Sequence, residues 1–240
     1  MADAASVSGV RAVSFDAAGT LFHPARPVGT LYAEVAARHG VEIDPGELQR
    51  RFRHAFATAP PLAFPGVPPA ELRARERAWW RTLVARVFIG IAFPRFEAYF
   101  DDLFAFFASP EAWRVDPDAP ALLQALRARG LRILIVSNFD HRVRGILAAL
   151  GLLALVDRIT ISSEAGAAKP DPRIFAVALA ESGLAPAEVL HVGDTVREDL
   201  VAAQAAGLPV VLVGDATLAA EAPGTAVVPR LGDVGRHLGL

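Results

Sequence analysis

Four short polar strings in this chain combine residue types able to act on an anionic group. Asp16 closes the apolar run VRAVSF and is followed closely by Gly19 and Thr20. Ser137 and Asn138 follow the run RILIV, Lys169 stands before Pro170 in AAKPDP, and Asp194 and Asp199 share the string HVGDTVREDL. A carboxylate can serve as a nucleophile, hydroxyls and an ammonium can hold the oxygens of a tetrahedral anion, and paired acids suit a hard cation. Each residue also has a plainer use: Asp194 and Asp140 as helix N-caps, Ser137 as a satisfied strand end. Lys169 is the only lysine in 240 residues, so a lysine-rich solvated face does not account for it.

These residues need a scaffold that brings distant segments together. Short β-rich runs at residues 10–15, 132–136, 158–161, 189–192 and 209–213 alternate, from the second onward, with helical patterns at 118–129, 140–150, 172–182 and 196–206. Gly130, Gly151, Gly183 and Gly207 stand where helices end in a left-handed cap. Such alternation predicts an α/β fold with a Rossmann-like parallel sheet covered on both faces. Ligands of such sheets bind beyond the carboxyl ends of the strands, where these polar strings fall.

Between Phe22 and Val115 the strand runs give way to longer helical periodicities. Asp44, Pro45 and Glu47 form a helix start, PPLAFPGVPP (60–69) is a loop, and 71–87 and 95–107 read as amphipathic helices. The expected organisation is an α/β core of residues 1–22 and 116–240, with a helical cap, residues 23–115, inserted after the first strand. Trp79 and Trp80 are assigned to the packing of this cap.

A net charge of −2 gives no global pull toward nucleic acid or an anionic membrane. The start MADAASVSG has neither a basic segment nor an apolar run, and no stretch offers the roughly eighteen apolar residues of a membrane helix. A cytoplasmic protein that is a monomer or homodimer, with no nucleic-acid or membrane partner and a small anionic substrate, is expected. Cysteine is absent, so thiol chemistry and Cys-ligated metals are excluded.

The strings SFDAAGTLF, ILIVSNFD, AAKPDPRIF and HVGDTVREDL resemble, in order and spacing, the four signature motifs of the haloacid dehalogenase superfamily. The insert resembles that superfamily's cap of the first type. The resemblance implies a hydrolase in which Asp16 attacks the substrate and forms a covalent intermediate, Ser137 and Lys169 hold the transferring group, and Thr20 supports Asp16. It implies substrate contacts from Ser137, Asn138 and Lys169. Mg²⁺ would be held by Asp16, the main-chain carbonyl of Ala18 and Asp194, with Asp199 as an occasional or outer ligand.

One position departs from the phosphatase pattern. Most phosphatases of this superfamily carry a second acid two residues after the nucleophile, and here that position is Ala18. Loss of a general acid or base costs about 100- to 10,000-fold. The 2-haloacid dehalogenases tolerate its loss, because a halide leaves without a proton, but they use no metal, whereas HVGDTVRED is similar to the metal-binding form of the fourth motif. Phosphonoacetaldehyde hydrolases need a cap lysine that this chain lacks. A third branch resembles the chain in PVGTLYAEVAARHG, SNFDHRVRGILAALGL and the unusual first motif, and implies a hydrolase without naming a substrate.

Three functions follow as expectations. The first is a Mg²⁺-dependent, phosphatase-like enzyme acting on a small phosphorylated metabolite with a good leaving group, such as an acyl or aryl phosphate. The others are a metal-independent 2-haloacid dehalogenase and a catalytically weak protein that binds a ligand or partner. His23 and Arg26, just beyond the first motif, are candidates to reach the leaving group, His23 with an unperturbed pKa near 6.5. Arg73, Arg77 and Arg81 lie at helical spacing and either face the substrate or form a solvated row.

Overall fold

The structure, a computed structural model, describes residues 9–239. The leader reading of residues 1–9 therefore falls almost wholly outside the described residues. The chain opens with β1 (Ala12–Phe15) and a short β2 (Phe22–Pro24). Four helices follow: α1 (Val28–Arg38), α2 (Pro45–Ala57), α3 (Pro69–Val87) and α4 (Phe96–Phe106). The chain returns through β3 (Trp113–Val115), α5 (Ala119–Ala128), β4 (Arg132–Ser137), α6 (Arg142–Ala149), β5 (Arg158–Ile161), a one-turn α7 (Ser162–Ala165) and α8 (Arg173–Ser182). It ends with β6 (Val189–Gly193), a π-helical turn over Val196–Leu200, α9 (Val201–Ala205), β7 (Val210–Val213), α10 (Ala216–Glu221), β8 (Ala226–Val228) and α11 (Asp233–His237).

Six strands form one parallel sheet in the order β5-β4-β1-β6-β7-β8. Alternation along each strand explains why both faces must be covered. Val13, Phe15, Ile133 and Ile135 enter one core with Leu122, Leu126 and Ile146, whereas Ala12, Leu134 and Val136 enter another with Phe175, Ala178 and Ala203. The α/β class and the parallel sheet expected from the sequence are present. The strand order reverses direction on either side of β1, the topological switch point at which such sheets open a crevice.

The register fixes the position of that crevice's polar groups. Phe15 lies level with Ile135 on β4 and with Val192 on β6, so Asp16, Ser137 and Asp194 all emerge at the same end of three adjacent strands.

Helices α1 to α4 have a core of their own, with Tyr32, Leu48, Leu83, Val87, Tyr99 and Leu103 buried. As expected, Asp44 caps α2 by accepting the amide of Glu47 at 2.7 Å. Strand structure does not disappear between Phe22 and Val115 as the sequence suggested. β2 and β3 pair antiparallel where the chain leaves and re-enters the sheet layer, with Phe22 opposite Val115. Three residues per strand are too short to give a period-2 signal.

Candidate active site

At the crevice, one ammonium holds two carboxylates. Lys169 Nζ donates to Asp16 Oδ1 and to Asp199 Oδ1, each at 2.6 Å, and all three residues are buried. Burial pulls the Lys169 ammonium down, but the two carboxylates outweigh it and hold its pKa above the usual lysine value. One cation cannot neutralise two anions. Asp199 takes the larger share: despite burial, Lys169 and His191 keep its carboxyl well below the usual range. Burial and the charge of Asp199 push Asp16 up, with Lys169 and a hydrogen bond from Ser137 opposing them.

Asn138 positions the lysine. Its Oδ1 accepts the Lys169 amide at 2.7 Å, and its Nδ2 donates to the Lys169 carbonyl at 2.8 Å and to Glu198 at 3.1 Å. A reciprocal pair of this kind fixes the peptide from which the ammonium extends, so Asn138 orients Lys169 and its amide is spent on that task.

Asp199 is committed in the same way. Its Oδ2 accepts the amides of Asp194 and Thr195 at 3.1 and 3.0 Å and the Thr195 hydroxyl at 2.8 Å. Its Oδ1, besides Lys169, pairs with His191 Nε2 at 3.2 Å, while Ser14 Oγ lies 2.9 Å from His191 Nδ1. Of the two places expected for Asp199, occasional or outer ligand, its occupied oxygens fit the outer, positioning one. Gly193 permits this packing: a Cβ there would lie 2.2 Å from Asp199 Cγ.

Asp194 differs. It does not cap the following turn, a task taken by Thr195, whose hydroxyl accepts the Asp199 amide. Among the described residues its side chain has one side-chain partner, Thr20 Oγ1 at 3.5 Å. Thr20 thus reaches Asp194 rather than Asp16, the residue it was expected to support. Burial first, then the charges of Asp16 and Asp199, push the Asp194 carboxyl up to about 7. Gly19 passes close by at φ +117°, and a Cβ on it would meet Asp194 Oδ2 at 2.6 Å. In the same turn the Ala17 carbonyl accepts the Leu21 and Phe22 amides, while no backbone hydrogen bond among the described residues uses the Ala18 carbonyl. Asp16, Asp194 and this carbonyl form an all-oxygen donor set with uncompensated negative charge, which fits Mg²⁺.

A second group of possible ligands, Glu76, Asp140 and His141, is committed elsewhere. Glu76 of α3 pairs with the His141 ring and accepts the His141 amide at 3.2 Å. Asp140 binds the Arg142 guanidinium through both oxygens, at 2.9 and 2.6 Å, and accepts Trp80 Nε1 at 2.6 Å. Burial would raise Asp140, but Arg142 wins and holds it below the usual range. These bonds, with Arg142 Nη1 donating to the Phe104 carbonyl at 3.2 Å, tie the loop after β4 to α3 and α4.

A cavity of about 530 Å³ stands over Asp16, Ser137, Lys169 and Asp194, with walls supplied by the helices. Trp79 and Trp80 pack against the helical core as expected, yet also present ring surface to this cavity. His23 lies outside it. Its Nε2 is 3.4 Å from Asp116 Oδ2, and it lines a separate cleft that shares Gly19 and Asp194 with the first. The β2–β3 pairing turns it there. Arg26 pairs with Glu34, Arg77 with Asp101 and Arg81 with Glu97 along the solvated surface, and neither they nor Arg73 line the cavity.

Sequence reasoning missed His191, Ser14, Glu76, Arg142 and Glu198. His191 stood within a motif string, and strand alternation with Val192 was the available signal that it points into the opposite layer. Glu198 lines the cavity, half-buried, and burial raises its pKa.

The parallel sheet thus carries one carboxylate at the end of β1, held by a lysine, and a second acid at the end of β6. The chain belongs to the haloacid dehalogenase-like hydrolases, whose family model matches residues 10–207. It is 36% identical over 207 residues to haloacid dehalogenase-like hydrolase domain-containing protein 3 of Mus musculus, covering 85% of this chain and 82% of that one. It is 30% identical to the rhythmically expressed gene 2 protein of Drosophila melanogaster, over 89% of this chain and 86% of that one. In fold it is similar to a dehalogenase structure solved with an intermediate complex (TM-score 0.73, 21% identity, 97% and 98% of the chains covered). No helix among the described residues is long and apolar enough to cross a membrane.

Proposed function

We propose that the chain is a Mg²⁺-dependent, phosphatase-like hydrolase acting on a small phosphorylated metabolite with a good leaving group. The observation that carries this is Asp194, a half-buried carboxylate that forms no ion pair among the described residues, in the same crevice as Asp16 and next to a carbonyl left free. A halide-releasing site has no use for that excess of negative charge. Asp16, Asp194 and the Ala18 carbonyl would hold Mg²⁺, which when bound screens the repulsion between the Asp16 carboxylate and an anionic substrate.

The chain's own residues would do the rest. Lys169 holds Asp16 in place and keeps its attacking oxygen oriented. Ser137, buried and lining the cavity with Asp16, would bind a phosphoryl oxygen through its hydroxyl. Asp16 forms a bond to phosphorus while the bond to the leaving oxygen breaks and its electron pair departs with that oxygen. Water then cleaves the aspartyl phosphate, restoring Asp16. Ala18 cannot protonate the leaving oxygen, so substrates whose leaving group is a weak base are favoured.

That same Ala18 favours a second reading, a 2-haloacid dehalogenase, since halide leaves unprotonated. We further propose the division into a core of residues 1–22 and 116–240 and a cap of residues 23–115, a cytoplasmic location, a monomer or homodimer, and no nucleic-acid or membrane partner. The deciding experiment measures phosphate release from acetyl phosphate and aryl phosphates with and without Mg²⁺, beside halide release from 2-haloacids. Phosphate release that requires Mg²⁺ is expected, and metal-independent halide release would overturn it.

A further inference from the structure

The cavity above Asp16 is larger than a phosphoryl group needs, and its walls are aromatic. At about 530 Å³ it falls in the range of pockets that enclose a ligand of drug-like size. Phe52, Phe56, Trp79, Trp80, Phe104 and Phe107 all line it. Four of them form one continuous surface: Phe52 stacks on Phe56 with centroids 5.5 Å apart, Phe56 stacks on Trp80 at 6.4 Å, and Trp79 meets Trp80 edge-on at 4.9 Å.

The polar groups of this wall are spent. Trp80 Nε1 donates to Asp140, and Trp79 Nε1 donates to the Pro60 carbonyl at 3.0 Å. The Arg142 guanidinium lies over Phe104, 3.9 Å from the ring centroid, and over Trp80, but its charge is neutralised by Asp140. A sugar or amino-acid leaving group would lose its water against these ring faces and gain no hydrogen bond from them, at the cost of its unmade hydrogen bonds. A flat ring would replace water on apolar surface and gain ring-to-ring contacts. Phe56 is 44% exposed and lines the cavity, so it has ring surface free to meet a ligand.

We infer that this wall is an aromatic subsite for the leaving group, so that the substrate class is aryl phosphomonoesters. The inference rests on Asp16 acting as a phosphoryl acceptor. In the reaction, Asp16 Oδ bonds to phosphorus, the bond from phosphorus to the aryl oxygen breaks, and the electron pair leaves as aryloxide, which takes its proton from water. Water then hydrolyses the aspartyl phosphate to inorganic phosphate. An aryloxide is a weak enough base to depart without the acid that Ala18 replaces, so wall and missing acid select the same class.

The test uses the full chain with MgCl₂ and two readouts. Calorimetric binding of 1-naphthylphosphonate is compared with that of methylphosphonate, and KM for 1-naphthyl phosphate with that for acetyl phosphate, in wild type, Phe56→Ala and Phe56→Trp. The aryl ligand should bind roughly tenfold or more tightly than its methyl counterpart. Phe56→Ala should shrink that ratio several-fold, and Phe56→Trp should restore it. Equal affinities for the two phosphonates, or a ratio indifferent to Phe56→Ala, overturns the subsite. If acetyl phosphate turns over with the lower KM, the subsite falls and the phosphatase reading stands. If naphthylphosphonate binding depends on Phe56 but neither phosphate is hydrolysed, the phosphatase reading falls and the substrate class falls with it, while the aromatic binding surface stands.

Discussion

Lys169 Nζ lies 2.6 Å from Asp16 Oδ1, inside a network that continues through Asp199 to His191 and Ser14. The Asp16 carboxylate is thus held by a residue 153 positions away in the chain.

Removing either end of this pair should have opposite effects on stability. Lys169→Met strands two buried carboxylates and should cost about 3–5 kcal/mol, the range for breaking a buried ion pair from one side. Asp16→Asn relieves the excess negative charge and should leave the urea midpoint unchanged or higher, while turnover falls at least about 1000-fold. Urea denaturation of both variants beside a turnover assay checks this; retained turnover in Asp16→Asn removes that residue from the mechanism.

Asp194 gives a pH signature. Its folded pKa, about 7, lies above its ordinary value of 3.8, so the folded state binds this proton more tightly. The contribution of this group is most favourable below pH 4 and is lost as pH rises through about 7. Without Mg²⁺, the melting temperature should therefore be higher at pH 6 than at pH 8. Asp194→Asn should flatten that slope, and saturating Mg²⁺ should raise the melting temperature of wild type at pH 8 but not of the variant.

Restoring an acid at position 18 tests the phosphatase reading directly. Ala18→Asp should raise kcat/KM for alkyl phosphates by a measurable part of the roughly 100- to 10,000-fold worth of a general acid. Aryl phosphates should gain less, because their leaving oxygen needs the proton less. If Mg²⁺ still binds and alkyl phosphates show no gain, the idea of a phosphatase lacking only its acid is wrong.

The strap between the loop after β4 and the helices should be a stability element. Arg142→Met leaves Asp140 buried without its cation and should destabilise by about 3–5 kcal/mol. His23→Ala, by contrast, alters a partly exposed contact outside the cavity and should change kcat/KM by less than about threefold. A large loss of turnover in His23→Ala would return that histidine to the site.

The sequence by itself determined the parallel α/β layer and which strand ends carry the polar motif residues. Apolar strands alternating with helical patterns leave few solutions, and Asp16, Ser137 and Asp194 each follow a readable strand. Within those motifs, however, sequence order could not assign the roles of neighbours. Asp194 and Asp199 are both acids in one string, yet backbone amides and Lys169 saturate Asp199 while Asp194 stays open, a distinction made by contacts across the sheet. His23 follows the first motif closely but is turned into another cleft by its pairing with β3, whose three residues leave no periodic trace. Only the tertiary structure decided that Trp79 and Trp80 face a cavity as well as a core. Helical spacing shows that a residue is apolar and on one face, and what that face meets depends on how α3 is strapped over the sheet through Glu76, Asp140 and Arg142.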